Sequence, residues 1–485
     1  MTVYLYLVLA IIILFLIIIT VRTIRFKNVD IHVSEQDSNV KYDRMACANK
    51  LAKSVQIKTI SNSDYSITDW EQFKRYHSLI EEMFPLVHKN IDRKIINEYS
   101  LLYHWNGKNK NNKKPIIITA HMDVVPIEEG TEKDWKQEPF SGVIVDDIIW
   151  GRGTIDTKVH MIAVLEAAEL LLKEGFVPDR DVYFGFGHDE EVGGKQGAVK
   201  IVEYLKGQGI EFDYVLDEGG CVTEGAIKEI AKPIALIGIG EKGYCNIKIE
   251  IEGNGGHASM PPKHTSLGLI GQVINNLETK QCKLKLTKPV EEFLLKIGPE
   301  MKLLNRIILS NLWLFRPLFV RVFSKMQSGN ALLRTTTAVT MAEGSMEPNV
   351  LPQKASVTCN FRVLPGETGE DLVNHIEQVN KDIPIKIQPL RMEDPSLISS
   401  SKTEGFKKIE NITNRVYKDV IVAPYIVLAG TDARKYEPVC NNIYRFSPYK
   451  LHNDELVKIH GTNESLSVDN VNKCLEFFYY LLKES

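Results

Sequence analysis

Residues 116–126, IIITAHMDVVP, join a run of apolar residues to a histidine and an aspartate. A short apolar run of this kind predicts a buried β-strand. Alternate residues of a strand point to the same face, so His121 and Asp123 are expected to project together where the strand ends. Asp123 could then hold the imidazole, as carboxylates often do behind a metal-bound histidine. Taken alone, such a pair is more often a surface histidine beside a loop-end carboxylate.

Strand and helix patterns alternate around this stretch. DVYFGFG (181–187) has the composition of a second buried strand, and KVHMIAVLEAAELLLKEG (158–175) has apolar residues at helical spacing and ends at a glycine. This alternation predicts an α/β domain with a mostly parallel sheet covered by helices. YCNIKIEIEG (244–253) alternates strictly, which is typical of a strand with one face in water. The first pattern returns at FKKIENITNRVY (406–417), so a smaller α+β domain is predicted to be inserted into the first.

The amino-terminal stretch VYLYLVLAIIILFLIIITV (3–21) carries no charge. As a helix it is long enough to cross a hydrocarbon core of about 30 Å. A cleaved signal peptide would have a basic start and small residues before the cut, so we predict a single-pass membrane anchor. Arg22, Arg25 and Lys27 follow the helix and favour a cytosolic main body, but the side of the membrane is left open. The predicted organisation is an anchor (1–27), a tether (28–40), a first domain in two parts (41–240 and 395–485) and an inserted domain (241–394).

Composition excludes several classes of protein. The 485 residues carry a net charge of −3, and no basic stripe with interleaved aromatic residues is present, so nucleic acid is not expected as a partner. The seven cysteines are scattered and form no CxxC pair. They are expected to be free thiols, and they predict neither a disulfide framework nor a thiolate zinc site.

Four further stretches place polar side chains where a strand or turn meets the next element. They are WGRGTIDTK (150–158), GFGHDEEVGG (185–194), VLDEGG (215–220) and YKLHNDELV (449–457). In open α/β sheets the carboxyl ends of the strands form the binding crevice. The donors are histidines and carboxylates without a thiolate, which suits zinc, manganese or cobalt. Two ions are usually bridged by one carboxylate, and a lone Asp156 would be enough for that. Of the adjacent Glu190 and Glu191, one can bind metal and the other can act as general base.

These stretches resemble the co-catalytic zinc peptidase family that contains aminoacylase, carboxypeptidase S and the N-fatty-acyl-amino-acid synthase/hydrolases. The resemblance runs from about Lys41 to the end and includes GGHASMPP (255–262). The stretch LLRTTTAVTMAEGSMEPNVLPQ (332–353) is most similar to the carboxypeptidase S and fatty-acyl-amino-acid branch. The family fold implies a zinc-peptidase domain interrupted by a lid or dimerisation domain.

The resemblance also implies the roles of the metal-site residues. It gives Asp156 as the bridge, Glu191 and His452 on one zinc, His121 and Glu218 on the other, Glu190 as general base and Asp123 as the support of His121. Asp217 remains an alternative to its neighbour Glu218. Two Zn²⁺ per subunit are implied, with Co²⁺ or Mn²⁺ as substitutes.

Three more residues are implied to contact substrate. His257 would stabilise the tetrahedral oxyanion by reaching from one subunit's lid into the other's site, so a homodimer is expected. Arg434 and Asn349 resemble the residues that bind the substrate's carboxylate. Arginine suits that task because its fork matches a carboxylate in two hydrogen bonds.

The predicted function is a membrane-anchored di-zinc metallohydrolase that cleaves the amide bond next to a carboxyl-terminal amino acid. The substrate would be a small molecule or short peptide with a free carboxylate, acted on by a carboxypeptidase or an N-acyl-amino-acid amidohydrolase. Whether the reaction also runs in reverse is left open. The alternatives are a dipeptidase or aminopeptidase of the same fold and a non-catalytic receptor-like protein.

One segment of the inserted domain, residues 301–325 (MKLLNRIILSNLWLFRPLFVRVFSK), is rich in apolar residues with single basic residues among them. It is too broken by charge and by Pro317 to span a bilayer. Two interpretations stay open. The segment packs into the core of an enlarged lid, or it lines an acyl-chain path or rests on the membrane interface.

Overall fold

The computed structural model describes residues 1–27, 40–109 and 113–485. Except for Val40, the predicted tether at 28–40 lies outside the described residues. Residue contacts divide the chain into two compact units. The large unit comprises Asn28–Ile239, Ser399–Tyr425 and Thr431–Ser485, and the inserted unit comprises Met1–Lys27, Gly240–Ile398 and Ile426–Gly430. The amino-terminal helix therefore belongs to the same compact unit as the inserted domain.

The helices and strands of the described residues follow one another along the whole chain. The α-helices are α1 (Thr2–Arg25), α2 (Ala46–Val55), α3 (Trp70–Met83), α4 (Pro85–Asn90), α5 (Lys158–Lys173), α6 (Ala198–Gly207), α7 (Ser266–Thr279), α8 (Lys288–Ile297), α9 (Leu303–Ser310), α10 (Leu312–Phe323), α11 (Gln327–Leu333), α12 (Gly369–Val379), α13 (Glu404–Val416) and α14 (Val468–Lys483). Short 3₁₀ helices lie at Tyr65–Ile67, Glu132–Asp134, Glu190–Val192, Gly298–Glu300, Asp432–Tyr436 and Leu456–Lys458. The strands are β1 (Asp92–Ile96), β2 (Ser100–Trp105), β3 (Ile116–His121), β4 (Ile144–Val145), β5 (Ile148–Trp150), β6 (Val182–Gly187), β7 (Val215–Glu224), β8 (Ile234–Glu241), β9 (Gly243–Glu252), β10 (Gly256–His257), β11 (Thr336–Glu343), β12 (Val350–Leu351), β13 (Lys354–Val363), β14 (Lys386–Glu393), β15 (Ile421–Val427), β16 (Ile443–His452) and β17 (Ser465–Ser467).

The main sheet has eight strands in the order β1-β2-β6-β3-β7-β16-β8-β15. Strands β6, β3, β7 and β16 pair in parallel, whereas β1–β2, β2–β6 and β16–β8 pair antiparallel. The sheet is therefore mixed: the predicted parallel pairing is present in its four central strands, and the strands that flank them pair antiparallel. An apolar run indicates that a strand is buried, but it does not indicate whether the strand pairs in parallel or antiparallel. The turn between β1 and β2 holds Asn97 and Glu98 at positive φ, which is the backbone of a tight hairpin.

Helices cover the parallel core of this sheet. α6 packs with Ile117 of β3 and Val215 of β7, while α5 contacts β3 and packs against α14. All six residues of β3 are buried, as the apolar run at its start predicts. The carboxyl ends of β3 and β6 carry two of the polar stretches singled out above. Asp217 and Glu218 were expected at the end of a strand, but they lie near the start of β7, where its pairing with β16 shifts register.

The inserted unit contains an antiparallel sheet in the order β11-β13-β9-β14. Buried and half-buried residues alternate along β9, as its sequence predicts. Ile247, Ile249 and Ile251 of β9 form a core with Ile270 of α7 and Leu372 of α12. The inserted unit is thus α+β.

Within the described residues, α1 is long and apolar enough to cross a membrane. Its candidate span Val3–Arg25 has a mean hydropathy of 3.1, and the most apolar part of that span is not buried. A signal sequence would have the same length and composition. Segment 301–325 forms α9 and α10, with Pro317 inside α10. Leu309 and Leu312 are buried there, but Trp313 and Leu318 are exposed, so core packing does not account for the segment.

Candidate active site

Two imidazoles lie on the two oxygens of one carboxylate in the large unit. His121 Nε2 is 3.1 Å from Asp156 Oδ1, and His460 Nε2 is 3.0 Å from Asp156 Oδ2. His460 Nε2 is also 3.1 Å from Glu191 Oε2. Ligand atoms of His121, Asp156 and Glu191 all lie within 4.8 Å of one another. Asp156 therefore occupies the centre of the cluster, with a histidine on either side.

Glycines let the local backbone bring these side chains together. Asp156 precedes α5 in a turn in which Gly153 has a φ of 91°, and a Cβ there would be 2.9 Å from Val124 Cγ1. Glu191 lies in a 3₁₀ helix directly after β6. Gly194 then adopts a φ of 68°, and a Cβ there would be 1.9 Å from Asp432 Oδ1. The glycines of the GRG and VGG stretches are thus required by backbone conformation and close approach.

Asp123 connects the histidine to the two glutamates. Its carboxylate accepts hydrogen bonds from the backbone N–H groups of Glu190 and Glu191, each at 3.1 Å, and from Ser61 Oγ at 2.7 Å. His121 Nδ1 is 3.4 Å from Asp123 Oδ1 and 3.0 Å from the carbonyl oxygen of the same residue. Burial opposes ionisation of Asp123, but the hydrogen bond from His121 brings its pKa below the ordinary value. The buried Asp123 therefore positions both the His121 imidazole and the backbone of the two glutamates.

The cluster changes the protonation of its members. Burial raises the pKa of Glu190 well above its ordinary value, the charges of Asp432 and Glu191 add to this, and the charge of His121 opposes it. Hydrogen bonds to Asp156 and Glu191 raise the pKa of His460 to about 10. Perturbed groups collected at the ends of sheet strands are typical of a catalytic site.

Asp217 and Glu218 are consecutive residues of β7, and the side chains of consecutive strand residues point to opposite faces. Asp217 is buried and accepts a hydrogen bond of 2.7 Å from Thr119 Oγ1. Burial raises the pKa of Glu218 well above its ordinary value, and the charge of Asp156 adds to this. Glu218 is therefore close enough to Asp156 for their charges to interact, although it lies outside the group of ligand atoms within 4.8 Å of one another, while Asp217 is hydrogen-bonded to the neighbouring strand.

The structure does not bring the predicted ligand His452 to the cluster, and it places His460 there instead. β16 continues its pairing through His452, which is opposite Glu224 on β7. The side chain of His452 is 54% exposed and is paired with Asp454. The short helix Leu456–Lys458 then reverses the chain, and His460, at a φ of 59°, reaches Asp156. The expectation that site residues lie at strand ends led to His452, the last residue of β16. The histidine that approaches Asp156 lies instead in the loop after that strand.

Sequence reasoning also missed Glu464 and its partner Arg152. The buried Glu464 carboxylate accepts a hydrogen bond of 2.7 Å from Arg152 Nη1. It also accepts from the backbone N–H groups of Gly153, Ile155 and Asp156, at 2.9, 2.8 and 3.2 Å. Glu464 thus holds the turn that presents Asp156. The signal was present in HGTNE (460–464), where a histidine and an acidic residue flank a glycine.

Replacing Glu464 by Ala is expected to destabilise the protein by roughly 3–5 kcal/mol, because the buried Arg152 would lose its partner charge. Glu203→Ala is the matched control, since Glu203 pairs with Lys200 at the surface and should contribute less than about 1 kcal/mol. Unfolding of both variants in denaturant measures the difference. Equal, small shifts in the two variants would contradict a structural role for Glu464.

The residues predicted to contact substrate lie in both units. In the inserted unit, His257 pairs with Val350 in the two-stranded sheet of β10 and β12, and the N–H of Ala258 donates to the carbonyl of Asn349 at 2.9 Å. The structure therefore places His257 in β10 close to Asn349, which directly precedes β12, and both residues are exposed. In the large unit, Arg434 is half-buried on the 3₁₀ helix Asp432–Tyr436.

The donor set fits a metal centre. Its ligand atoms are imidazole nitrogens and carboxylate oxygens, which suit zinc in a hydrolytic site. Glu191 Oε1 is buried and has no hydrogen-bond partner among the described residues, as expected of an atom placed to bind an ion. The seven cysteines are all buried free thiols, and none contributes to the cluster identified among the described residues.

Comparison with known proteins agrees with this site. The chain is 39% identical over 456 residues to probable carboxypeptidase S-like 2 of Dictyostelium discoideum, covering 93% of this chain and 87% of that protein. It is 34% identical over 453 residues to N-fatty-acyl-amino acid synthase/hydrolase PM20D1 of Homo sapiens, covering 92% and 89%. The solved structure of the M20 family metallo-carboxypeptidase Sso-CP2 from Sulfolobus solfataricus matches with a TM-score of 0.67 at 18% identity, over 91% of this chain and 99% of that chain, which shows a shared fold.

The strongest assignment comes from the family comparison, in which residues 117–484 match the pattern of peptidase family M20/M25/M40. The match includes the turn of Asp156, the 3₁₀ helix of Glu190 and the loop of His460. The chain therefore belongs to peptidase family M20/M25/M40 and is a metal-dependent hydrolase of amide bonds.

Proposed function

We propose that this protein is a di-zinc hydrolase that cleaves the amide bond next to a carboxyl-terminal amino acid. The observation that carries the proposal is the Asp156 carboxylate between His121 Nε2 and His460 Nε2, 3.1 and 3.0 Å away. A carboxylate with an imidazole on each oxygen is the arrangement expected of a ligand shared by two ions.

The two ions would be held by different sets of side chains. His121 and Glu218 would hold the first ion, Glu191 and His460 the second, and Asp156 both. When bound, the ions would polarise the scissile carbonyl and lower the pKa of a water molecule. Asp123 keeps His121 in place and holds the backbone of Glu191, so both halves of the site depend on it.

Glu190 is the proposed general base. Its backbone is held by Asp123, and its buried carboxyl group lies near the charges of His121 and Glu191 without being needed in the proposed ligand sets. The carboxylate is therefore available to accept a proton from the attacking water and to pass it to the leaving amine. A carboxyl group whose pKa lies above the ordinary value is better suited to both steps than an ordinary surface glutamate.

The proposed substrate carries a free carboxylate on the leaving amino acid. Relatives of this chain bear the names carboxypeptidase S-like and N-fatty-acyl-amino acid synthase/hydrolase, and both names describe an amide next to such a group. Arg434 is the proposed carboxylate binder in the large unit. The roles of His257 and Asn349, the homodimer and reversal of the reaction remain predictions from the family resemblance.

We further propose that α1 anchors the protein in a membrane. The support is the length of its uncharged stretch, the exposure of its side chains and the basic residues Arg22 and Arg25 in its last turn.

A substrate panel tests the hydrolytic proposal. The purified full-length chain, in detergent with Zn²⁺, is expected to hydrolyse N-acyl amino acids with a free carboxylate. The matching carboxamides should react at least about tenfold more slowly in kcat/KM, because a charge-assisted hydrogen bond is lost. A chelator should abolish hydrolysis, and Zn²⁺ should restore it. A requirement for a free amine would instead assign a dipeptidase or aminopeptidase, and no turnover of any substrate by metal-loaded protein would favour a receptor-like protein.

A further inference from the structure

The amino-terminal helix packs against a pair of short helices in the inserted unit. This α9–α10 pair comprises Leu303–Ser310 and Leu312–Phe323. The ring of Trp313 meets the ring of Phe15 edge-on, with centroids 5.5 Å apart. Phe15 lies inside the uncharged stretch of α1, so the contact reaches well into the apolar part of the helix.

Polar groups lock the carboxyl-terminal end of α1 onto the same pair. Thr23 Oγ1 and Ser310 Oγ are 3.0 Å apart, and Asn311 Nδ2 donates to Thr23 Oγ1 at 3.3 Å. All three side chains are buried. Arg22 Nε donates to the carbonyl of Ser310 at 3.1 Å. These satisfied, buried hydrogen bonds give the α1 contact one defined register.

A close approach completes the contact one turn further on. A Cβ added to Gly298, just before the pair, would be 2.7 Å from the ring of Phe26. Arg306 Nη2 of α9 donates to the carbonyl of Thr23 at 3.3 Å. The pair therefore follows α1 from Phe15 to Thr23, which is about 12 Å along a helix axis, and Gly298 extends the contact to Phe26.

The remaining surface of the pair is apolar and exposed. The residues concerned are Leu303 (67% exposed), Leu304 (70%), Trp313 (54%), Leu318 (54%) and Val322 (57%). Leu318 and Val322 are four residues apart and so lie on one side of α10, and exposed apolar side chains that are neighbours in this way mark an interaction surface more often than single solvent-facing residues do.

The charged residues of the pair itself are all basic, and one of them, Arg316, is paired with Glu291 of α8 at 2.9 Å. Residues 301–342 contain no Asp or Glu, whereas Lys302, Arg306, Arg316, Arg321 and Lys325 lie in or beside the pair. Apolar side chains with flanking basic residues are typical of helices that lie in the interface of a bilayer with anionic lipids.

We propose that the α9–α10 pair is a second membrane-contacting element, seated in the same leaflet that α1 enters. The exposed face of the pair contacts a lipid bilayer. The inference rests on the proposed anchoring by α1. Phe15 precedes Arg22 by seven residues, so the Phe15–Trp313 contact lies about 10 Å from Arg22 along the helix. With Arg22 at the headgroups, Trp313 reaches the acyl chains.

Tryptophan quenching tests this placement. The full chain is reconstituted in vesicles of phosphatidylcholine and phosphatidylserine, with or without bromine on the acyl chains. All five tryptophans lie in the described residues, and only Trp313 among them is exposed. Brominated lipid should therefore quench about a fifth of the tryptophan emission. Trp313→Phe should remove most of this quenching. Trp70→Phe is the matched control and should preserve it, because Trp70 is half-buried and stacks on Tyr99 in the large unit.

Extraction with alkaline carbonate separates the two possible failures. Release of the wild-type chain from the vesicles would overturn both the anchor and this inference. Retention of the chain with equal quenching in wild type and Trp313→Phe would overturn this inference alone. A dimer that Leu318→Ser with Val322→Ser dissociates, without lipid quenching of Trp313, would also overturn it and assign the surface to a second copy of the chain. None of these outcomes depends on Glu190 or the metal ligands, so the hydrolytic proposal is tested separately.

Discussion

Replacing Glu190 by Gln is expected to lower kcat at least about a hundredfold while the metal content stays unchanged. Gln keeps the shape of the side chain but cannot accept the proton. The backbone N–H of residue 190 would still donate to Asp123, so the loop that carries Glu191 keeps its support. Steady-state kinetics on an N-acyl amino acid and elemental analysis of the same preparation measure both quantities.

Glu191→Gln is the matched control for this experiment. The two residues are adjacent and chemically identical, but Glu191 lies within the ligand group and Glu190 does not. The control should therefore lose metal as well as rate. A Glu190→Gln variant that retains its kcat would remove Glu190 from the mechanism, and one that loses metal would make it a ligand.

Replacing His460 by Ala is expected to reduce activity at limiting Zn²⁺ at least about a hundredfold and to lower the metal content. The change removes the nitrogen that lies 3.0 Å from Asp156 and 3.1 Å from Glu191. Titration of activity and bound metal against the free Zn²⁺ concentration gives the affinity of each variant.

His452→Ala is the control that decides between the two histidines. His452 is exposed and pairs with Asp454, so its loss should change activity less than about twofold, in line with ordinary surface substitutions. Loss of metal in His452→Ala with normal affinity in His460→Ala would restore the assignment made from sequence and contradict the geometry of the cluster.

The sequence predicts the parts of the fold that depend on local patterns. The apolar run before His121, the helical spacing after Lys158 and the strict alternation after Tyr244 correspond to β3, α5 and β9. Strand direction has no such local signature, because a buried strand reads alike in a parallel and in an antiparallel pairing. The antiparallel strands of the main sheet were missed for that reason.

The candidate site shows the same division. His121, Asp156 and Glu191 were found because each lies where a strand or turn meets the next element. His460 was missed because it lies in the loop beyond β16, where a left-handed residue redirects the chain. Glu464 was missed because its partners are up to 312 residues away in sequence. Contacts over such separations depend on the tertiary fold, and a single sequence does not display them.

The contact between α1 and the α9–α10 pair is another feature that depends on the tertiary fold and that a single sequence does not display. Both segments are recognisable as apolar in the sequence, and their joint packing through Phe15, Thr23 and Trp313 is visible only in three dimensions.

The distance in sequence between Asp156 and the residues that hold it has a consequence for biosynthesis. The Asp156 carboxylate is among the earlier parts of the chain to leave the ribosome, whereas Glu464 follows 308 residues later. Until then the nascent chain exposes His121, Asp156, Glu191 and Glu218 without His460 and without the support of the turn. If the site holds two ions as proposed, tight capture of the second would therefore be a late event that follows release of the carboxyl-terminal segment. A premature stop between residues 218 and 460 would leave the proposed acidic ligands without His460.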